Sequence, residues 1–239
     1  MDSVKLIYEG KAKKIFQTAQ SNQLLMEFKD SLTAFNAQKK GEFPGKGAIN
    51  CLISTWLFRR LTEHQIPHHW IQTESDHRHM LVHKTKIIPL EVVVRNWIAG
   101  SLAKKLNLPE GGSITQPLVE LYYKKDELND PFVSDDQAIE FGWVKSDQLS
   151  QMKMWALKIN KILTDCFFQA GLKLVDFKIE FGVNAENQII LADEISPDCM
   201  RLWDLKTNEK FDKDRFRRDL GNIEEAYKSV LERLEKITL

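Results

Sequence analysis

The chain has little cysteine: Cys51, Cys166 and Cys199 are the only three in 239 residues. They are odd in number and far apart, which excludes a disulfide framework and suits a reducing compartment. Net charge is also missing, since 34 basic residues stand against 34 acidic ones. A general nucleic-acid or membrane-surface binder needs a net basic field, so both classes are set aside. No apolar run reaches the ~18 residues that span a bilayer. The opening MDSVKLIYEGK carries no continuous apolar stretch of the secretory kind, and a cytoplasmic protein is expected. Internal repeats and low-complexity linkers are absent as well. What remains is an ordinary globular composition, 43% hydrophobic and 28% charged, long enough for one large domain or two small ones around a real core.

Hydrophobic spacing supplies the elements. Strands are expected at Leu6-Ile7-Tyr8, Ile15-Phe16, Leu24–Phe28, His69–Gln72, Met80–His83, Leu90–Arg95, Leu118–Tyr123, Leu174–Gly182 and Gln188–Ile195. Helices are expected after Gly45-Lys46-Gly47, over Ala99–Leu106, and from Asp147 to Ala170 with Gly171 as its C-terminal stop. A last helix carries Phe216, Leu220, Ile223, Tyr227, Val230, Leu234 and Ile237 at four-three spacing. Such spacing fits either a coiled-coil seam or packing on the chain's own sheet, the second being favoured. The fold class is α+β in two parts: residues 1–86, β-rich, and residues 87–239, a larger mixed α/β part.

Three constellations carry chemistry. The first is YEGKAKKIF, where Lys11, Lys13 and Lys14 crowd one connection after Gly10. Like charges repel, so the arrangement is unfavourable unless an anion joins it, and a phosphate is the natural anion. A solvated lysine hairpin is the alternative. It is not a P-loop, since no Gly-x-x-x-x-Gly-Lys-Ser/Thr follows a strand. The second is LVDFKIEFG. Alternation puts Asp176, Lys178 and Glu180 on one strand face and Val175, Phe177, Ile179 and Phe181 on the other. Antiparallel pairing through an even turn at Asn184–Asn187 would set Asp193 opposite Lys178. Glu180 and Asp193 would then reach one hard cation, as magnesium prefers, although a salt-bridged solvent face is also compatible. The third is arginine-based. Arg95 ends a strand and Ser101 opens a helix, a ready phosphate seat to which Arg201, after Ser196-Pro197-Asp198, adds a second guanidinium. The six histidines, 64, 68, 69, 77, 79 and 83, fall within twenty residues. No cysteine or acidic signature frames His77, His79 and His83 as a zinc site.

YEGKAKKIF, VVVRNWIAGS, GWV, LVDFKIEFG and DEISPDCMRLWD, in that order across nearly the whole chain, resemble the SAICAR synthetase family. The resemblance implies that family's two-part fold, its N-terminal part covering a nucleotide. It also implies an ATP- and magnesium-dependent ligation of L-aspartate to the carboxylate of 5-amino-1-(5-phosphoribosyl)imidazole-4-carboxylate (CAIR) in purine biosynthesis. Lys11, Ala12, Lys13, Ile15, Leu24, Val82, Ile87 and Lys124 would then contact ATP. Glu180 and Asp193 would hold Mg²⁺. Arg95, Ser101 and Arg201 would grip the ribose phosphate of CAIR, and Lys178 would act at the reacting carboxylate. The partners are those small molecules, with no nucleic acid and no membrane, and a homodimer is expected. The chain departs from the family pattern at Asp30–Ala37, at Asn50-Cys51 and at Trp97-Ile98, and no residue is assigned to aspartate. The competing readings are a small-molecule kinase, since Asp176-x-Lys178-x-x-x-Gly182 resembles an element of the inositol phosphate kinases, and a catalytically silent nucleotide-binding protein.

Overall fold

The computed structural model describes residues 5–34 and 38–237; Phe35-Asn36-Ala37, within one of the departures from the family pattern, lies outside the described residues. A first group of strands comprises β1 (Lys5–Glu9), β2 (Lys13–Gln17), β3 (Gln23–Phe28), β4 (Ser31–Ala34) and β5 (Lys39–Glu42). Helix α1 (Lys46–Glu63), β6 (Trp70–Thr73) and β7 (His79–His83) follow. Next come β8 (Lys86–Trp97), α2 (Gly100–Leu106), β9 (Ser113–Tyr123), β10 (Phe132–Val133), α3 (Asp135–Glu140) and α4 (Ser146–Gln169). The chain closes with β11 (Leu172–Val183), β12 (Ile189–Ala192), β13 (Met200–Asp204), α5 (Asp214–Arg217) and α6 (Ile223–Glu235).

A five-stranded antiparallel sheet in the order β1-β2-β3-β7-β6 uses only residues before 84. A second sheet runs β10-β9-β8-β11-β12, with β13 also paired to β11. The long helix α4 lays Leu149, Met152, Ala156, Ile159, Leu163 and Cys166 against this second sheet. They meet the buried Phe177, Ile179 and Phe181 of β11 in one apolar core that also takes in α1 and β3 residues. Gly171 follows α4 at φ +72, a conformation that glycine adopts at little steric cost and that turns the chain directly into β11.

The pairing of β11 positions the site. On one side Asp176–Val183 are bonded to β8. Its other edge is shared by two short strands: β13 covers Leu172–Phe177 and β12 covers Glu180–Val183. Between them the Lys178 N–H is taken by the Cys199 carbonyl at 2.7 Å, so the connection Asp193–Cys199 crosses the sheet edge at Lys178.

Several expectations need correction. Glu180 pairs with Ala192 and Phe181 with Leu191, so the register does not set Asp193 opposite Lys178. Strand β12 ends at Ala192, and Asp193 leaves it at φ 61. Val175 does not share a face with Phe177. A bulge between Leu174 and Asp176 resets the alternation, so Leu172 and Leu174 join Phe177 in the main core while Val175 packs with Ala99 and Trp203. The last helix is not continuous from Phe216. Gly221 (φ 70) and Asn222 (φ 49) break it, and α6 buries Ala226, Tyr227, Val230 and Leu234 chiefly beside α1 rather than on a sheet. Strands β4, β5, β10 and β13 and helix α3 were not anticipated. They are short, and the Ser134–Gln137 capping box that starts α3 is the one local signal among them.

Candidate active site

A cluster of lysines and carboxylates gathers where β2, β8 and β11 meet the ends of β9 and β12. The Lys178 ammonium lies 2.7 Å from Glu180 Oε1, 3.3 Å from Asp193 Oδ2 and 3.4 Å from Glu91 Oε1. Lys13 pairs with Asp193 and, at 2.7 Å, with Glu194, and Lys124 pairs with Glu180. Burial works against each charge, but the partners win. Asp193 and Glu194 hold the Lys13 pKa above the ordinary lysine value. Glu180, Asp193 and Glu91 do the same for Lys178. Lys13, Lys178 and Lys124 together press Asp193 well below the usual carboxylate range. Glu91 goes the other way: burial, with Glu180 near it, raises its pKa against the pull of Lys178. The positive φ of Asp193 is what aims its carboxylate back at both lysines. Aspartate is among the few non-glycine residues that adopt that conformation readily.

The arginine cluster lies further along β8 and β11, beside β13. Arg95 donates from Nε to Glu120 (2.7 Å), from Nη1 to Asp176 (3.0 Å), and from Nη2 to Ser101 (3.0 Å) and Tyr122 (3.1 Å). Arg201 donates from Nη1 to Asp176 at 2.8 Å and from Nε to Asp214 at 3.0 Å. Asp176 thus bridges the two guanidiniums, and both arginine pKa values rise despite burial because of it. Gly100 stands at φ +57 with the Arg201 fork against it, where any Cβ would collide with the guanidinium. The absent side chain leaves α2 open to that arginine.

A cavity of about 260 Å³ runs from the arginine cluster to Glu91 and Lys178 at the edge of the lysine cluster, lined also by Ser101, Asp176, Asp198 and Arg217. The buried Lys46 donates to Asp198 Oδ2 at 2.5 Å, and the Tyr227 hydroxyl donates to Asp198 Oδ1 at 2.8 Å.

The structure therefore brings Lys13, Lys124, Lys178, Glu180 and Asp193 into one group and Arg95, Ser101 and Arg201 into another. Lys11 sits apart, on the hairpin tip, 2.8 Å from Asp126. The Ala12 carbonyl accepts from the Lys29 N–H at 2.8 Å. Leu24 and Val82 are cross-strand partners, Val82 buried and Leu24 packed on the core with Ile15, while Ile87 is exposed opposite Gly182. Glu91, Asp176, Glu194, Asp198, Lys46, Tyr122 and Arg217 were not assigned from the sequence. For Glu91, an acid in a β-branched strand run, the signal was there. For Lys46 and Asp198, separated by 152 positions, there was none. Among the described residues no group of three or more histidine, cysteine or acidic side chains is placed to hold a metal. His79 is instead 2.5 Å from Asp76, and burial pushes His69, next to Asp193, down to about 3.

Residues 6–234 match the family model described as SAICAR synthetase. A phosphoribosylaminoimidazole-succinocarboxamide synthase of Nautilia profundicola is 53% identical over 235 residues, 98% of this chain and the whole of that protein. The crystal structure of the enzyme of that name from Ehrlichia chaffeensis superposes with a TM-score of 0.94 at 44% identity, covering 98% of this chain and 100% of that one. A SAICAR synthetase in complex with ADP gives 0.93 at 47% identity over 97% and 98% of the two chains. The kinase reading gains no support from these relatives.

Proposed function

The chain belongs to the SAICAR synthetase family, and from that premise we propose that it uses ATP to join L-aspartate to the carboxylate of CAIR, forming SAICAR, ADP and phosphate through an acyl phosphate. A carboxylate is a poor acyl donor. Its oxygen first takes the γ-phosphoryl group from ATP as ADP leaves; the aspartate amine then attacks the carbonyl carbon and phosphate departs. The amine's protons pass to solvent or base, and no enzyme nucleophile is required.

The observation that carries this reading is a cavity that runs from the arginine cluster to Lys178, whose ammonium also belongs to the lysine-carboxylate cluster through Glu180. Lys13 and Lys124, with Lys11 on the hairpin above, are suited to the phosphates of ATP. Ala12, Ile15, Leu24 and Val82, on the five-stranded sheet and its first hairpin, with Ile87 at the start of β8, would face the nucleotide base, so residues 1–86 would form the nucleotide-covering part and residues 87–239 the substrate part. Arg95, Ser101 and Arg201 suit the ribose phosphate, and Lys178 the charge that builds as the carboxylate oxygen meets phosphorus. Glu180 and Asp193 offer hard oxygen donors directed at one shared ammonium, with no soft ligand between them, and this donor set fits magnesium. When bound there, magnesium would neutralise phosphoryl charge. The free thiols of Cys51, Cys166 and Cys199 suit a cytoplasmic setting. A homodimer is the proposed assembly, open to light scattering.

A coupled assay of ADP release tests the reading. ADP should appear only when ATP, CAIR and L-aspartate are all present. Release with an alcohol acceptor and no aspartate would replace it with the kinase alternative.

A further inference from the structure

Two carboxylates hold Lys13, and they differ in what else they can do. Asp193 is shared with Lys178, and its side chain is 15% exposed. Glu194 is 5% exposed, and both of its oxygens are taken: Oε1 by the Lys13 ammonium at 2.7 Å and Oε2 by the Ser196 hydroxyl, which donates at 2.5 Å. The segment that carries Glu194 is itself fixed. The Ser54 hydroxyl of α1 donates to the Ile195 carbonyl at 2.9 Å. Ser196 Oγ accepts from the Asp198 N–H at 3.2 Å, and Asp198 is held in turn by Lys46 of α1 and Tyr227 of α6. A run of hydrogen bonds therefore leads from Lys13 through Glu194, Ser196 and Asp198 to two helices, and every member beyond Lys13 is buried. Glu194 does not line the cavity.

Such a carboxylate is poorly placed to meet a ligand directly. Reaching for one would leave Lys13 and the Ser196 hydroxyl without it, in a buried setting where unpaired polar groups are costly. It is well placed to fix an ammonium. A lysine stem rotates freely, and its head carries three donors with no preferred plane. With one donor held by Glu194 and one by Asp193, a third remains for another acceptor. If Asp193 passes to magnesium, as the reading above has it, two donors become available to phosphate oxygens, and Glu194 alone keeps the ammonium in place. Without Glu194 the ammonium has only Asp193, and it competes with the metal for that carboxylate.

We propose that Glu194 is a positioning residue, holding the Lys13 ammonium for the nucleotide phosphates while Asp193 is released to the metal; this rests on the reading above of Lys13 as an ATP contact. The test is calorimetry of ADP binding, in the presence of Mg²⁺, to the full chain and to Glu194→Gln, Ser196→Ala, Lys13→Met and Lys13→Met/Glu194→Gln. Losing a charged anchor should raise the Kd for ADP about ten-fold in Glu194→Gln. Ser196→Ala should move it the same way by less, and it serves where Glu194→Gln does not fold. In the Lys13→Met background Glu194→Gln should add less than about two-fold, because the effect passes through that ammonium. The Kd for CAIR should stay within about two-fold in Glu194→Gln and Ser196→Ala. An ADP affinity that is unchanged or tighter in folded variants overturns the proposal. So does a loss that adds in full to that of Lys13→Met, or one shared equally by CAIR, since a loosened segment would produce either. The unaltered chain and Lys13→Met separate the two levels of inference. If the first binds no ADP, or the second binds it as the parent does, the nucleotide reading of Lys13 fails. If Lys13→Met weakens ADP and Glu194→Gln does not, the Glu194 assignment alone is removed.

Discussion

Lys178 and Arg201 each reach a carboxylate carried by β11, Lys178 to Glu180 at 2.7 Å and Arg201 to Asp176 at 2.8 Å, but the two contacts are built to behave differently. Lys178 is a point charge on a rotatable stem, shared among Glu180, Asp193 and Glu91. Lys13 likewise divides itself between Asp193 and Glu194. On the proposed function such ammonium groups would exchange partners by small rotations, releasing carboxylates to a metal as they turn to phosphate oxygens. The arginines are planar forks. Arg95 is fixed through all three nitrogens, and Arg201 is fixed through two of its own. On the proposed function, the difference would separate a cluster that rearranges during turnover from one that keeps still and holds a phosphate in register.

The sharpest way to break this comparison is to remove charge from the rearranging end. Glu180→Gln and Asp193→Asn should each lower magnesium-dependent turnover roughly a hundred-fold or more, because a metal's stabilisation of phosphoryl charge amounts to several kcal/mol. Asparagine accepts the left-handed backbone at position 193 as readily as aspartate does, so the local geometry survives. Circular dichroism should show an intact fold in both variants. Turnover that is unchanged in a folded variant would mean that these carboxylates are structural salt-bridge partners only.

A smaller effect should distinguish the two ends by substrate. Arg201→Lys keeps the charge and loses the fork, so the KM for CAIR should rise about ten-fold or somewhat more, with that for ATP nearly unmoved. Lys13→Ala should raise the constant for ATP and spare CAIR. Titrating each variant against one substrate with the others saturating reads both. If Arg201→Lys weakened ATP instead, the two anions would have to be exchanged between the clusters.

How far the sequence revealed this site depends on range. The β11 face with Asp176, Lys178 and Glu180 was legible because strand alternation is local. The two breaks in that logic, the bulge at Leu174 and the left-handed Asp193, were not. A bulge adds one residue without changing composition, and an aspartate at positive φ reads like any other aspartate. Asp193 came to Lys178 all the same, through a turn out of the strand instead of the expected register. Gly171 and the apolar stripe of α4 were legible from spacing and a stop signal. The Lys46–Asp198–Tyr227 network was not, because its members are distant in sequence and a buried lysine looks like a surface one until the fold closes over it. Arg95, Ser101 and Arg201 were grouped correctly, whereas Asp176, the carboxylate that unites them, was read only as one charge in a row.

The smallest effect should come from outside both ends. His77 lies in the β6–β7 connection at φ 56, and His79 pairs at 2.5 Å with the half-exposed Asp76. Neither lines the cavity. Replacing His77 with asparagine, which tolerates the positive φ, and His79 with glutamine removes both imidazoles and only a surface ion pair, of about 0–1 kcal/mol. The kcat and all three KM values should stay within a few-fold of the parent at pH 7, and the Tm should fall by no more than about 2–4 °C. The comparison between the rearranging and fixed clusters requires this result, because it confines the chemistry to lysine, arginine and carboxylate. A large loss of kcat in a double variant that melts normally would bring the histidine segment into the reaction. It would also show that the lysine cluster works with a titrating neighbour, and the division into two kinds of charge would then be incomplete.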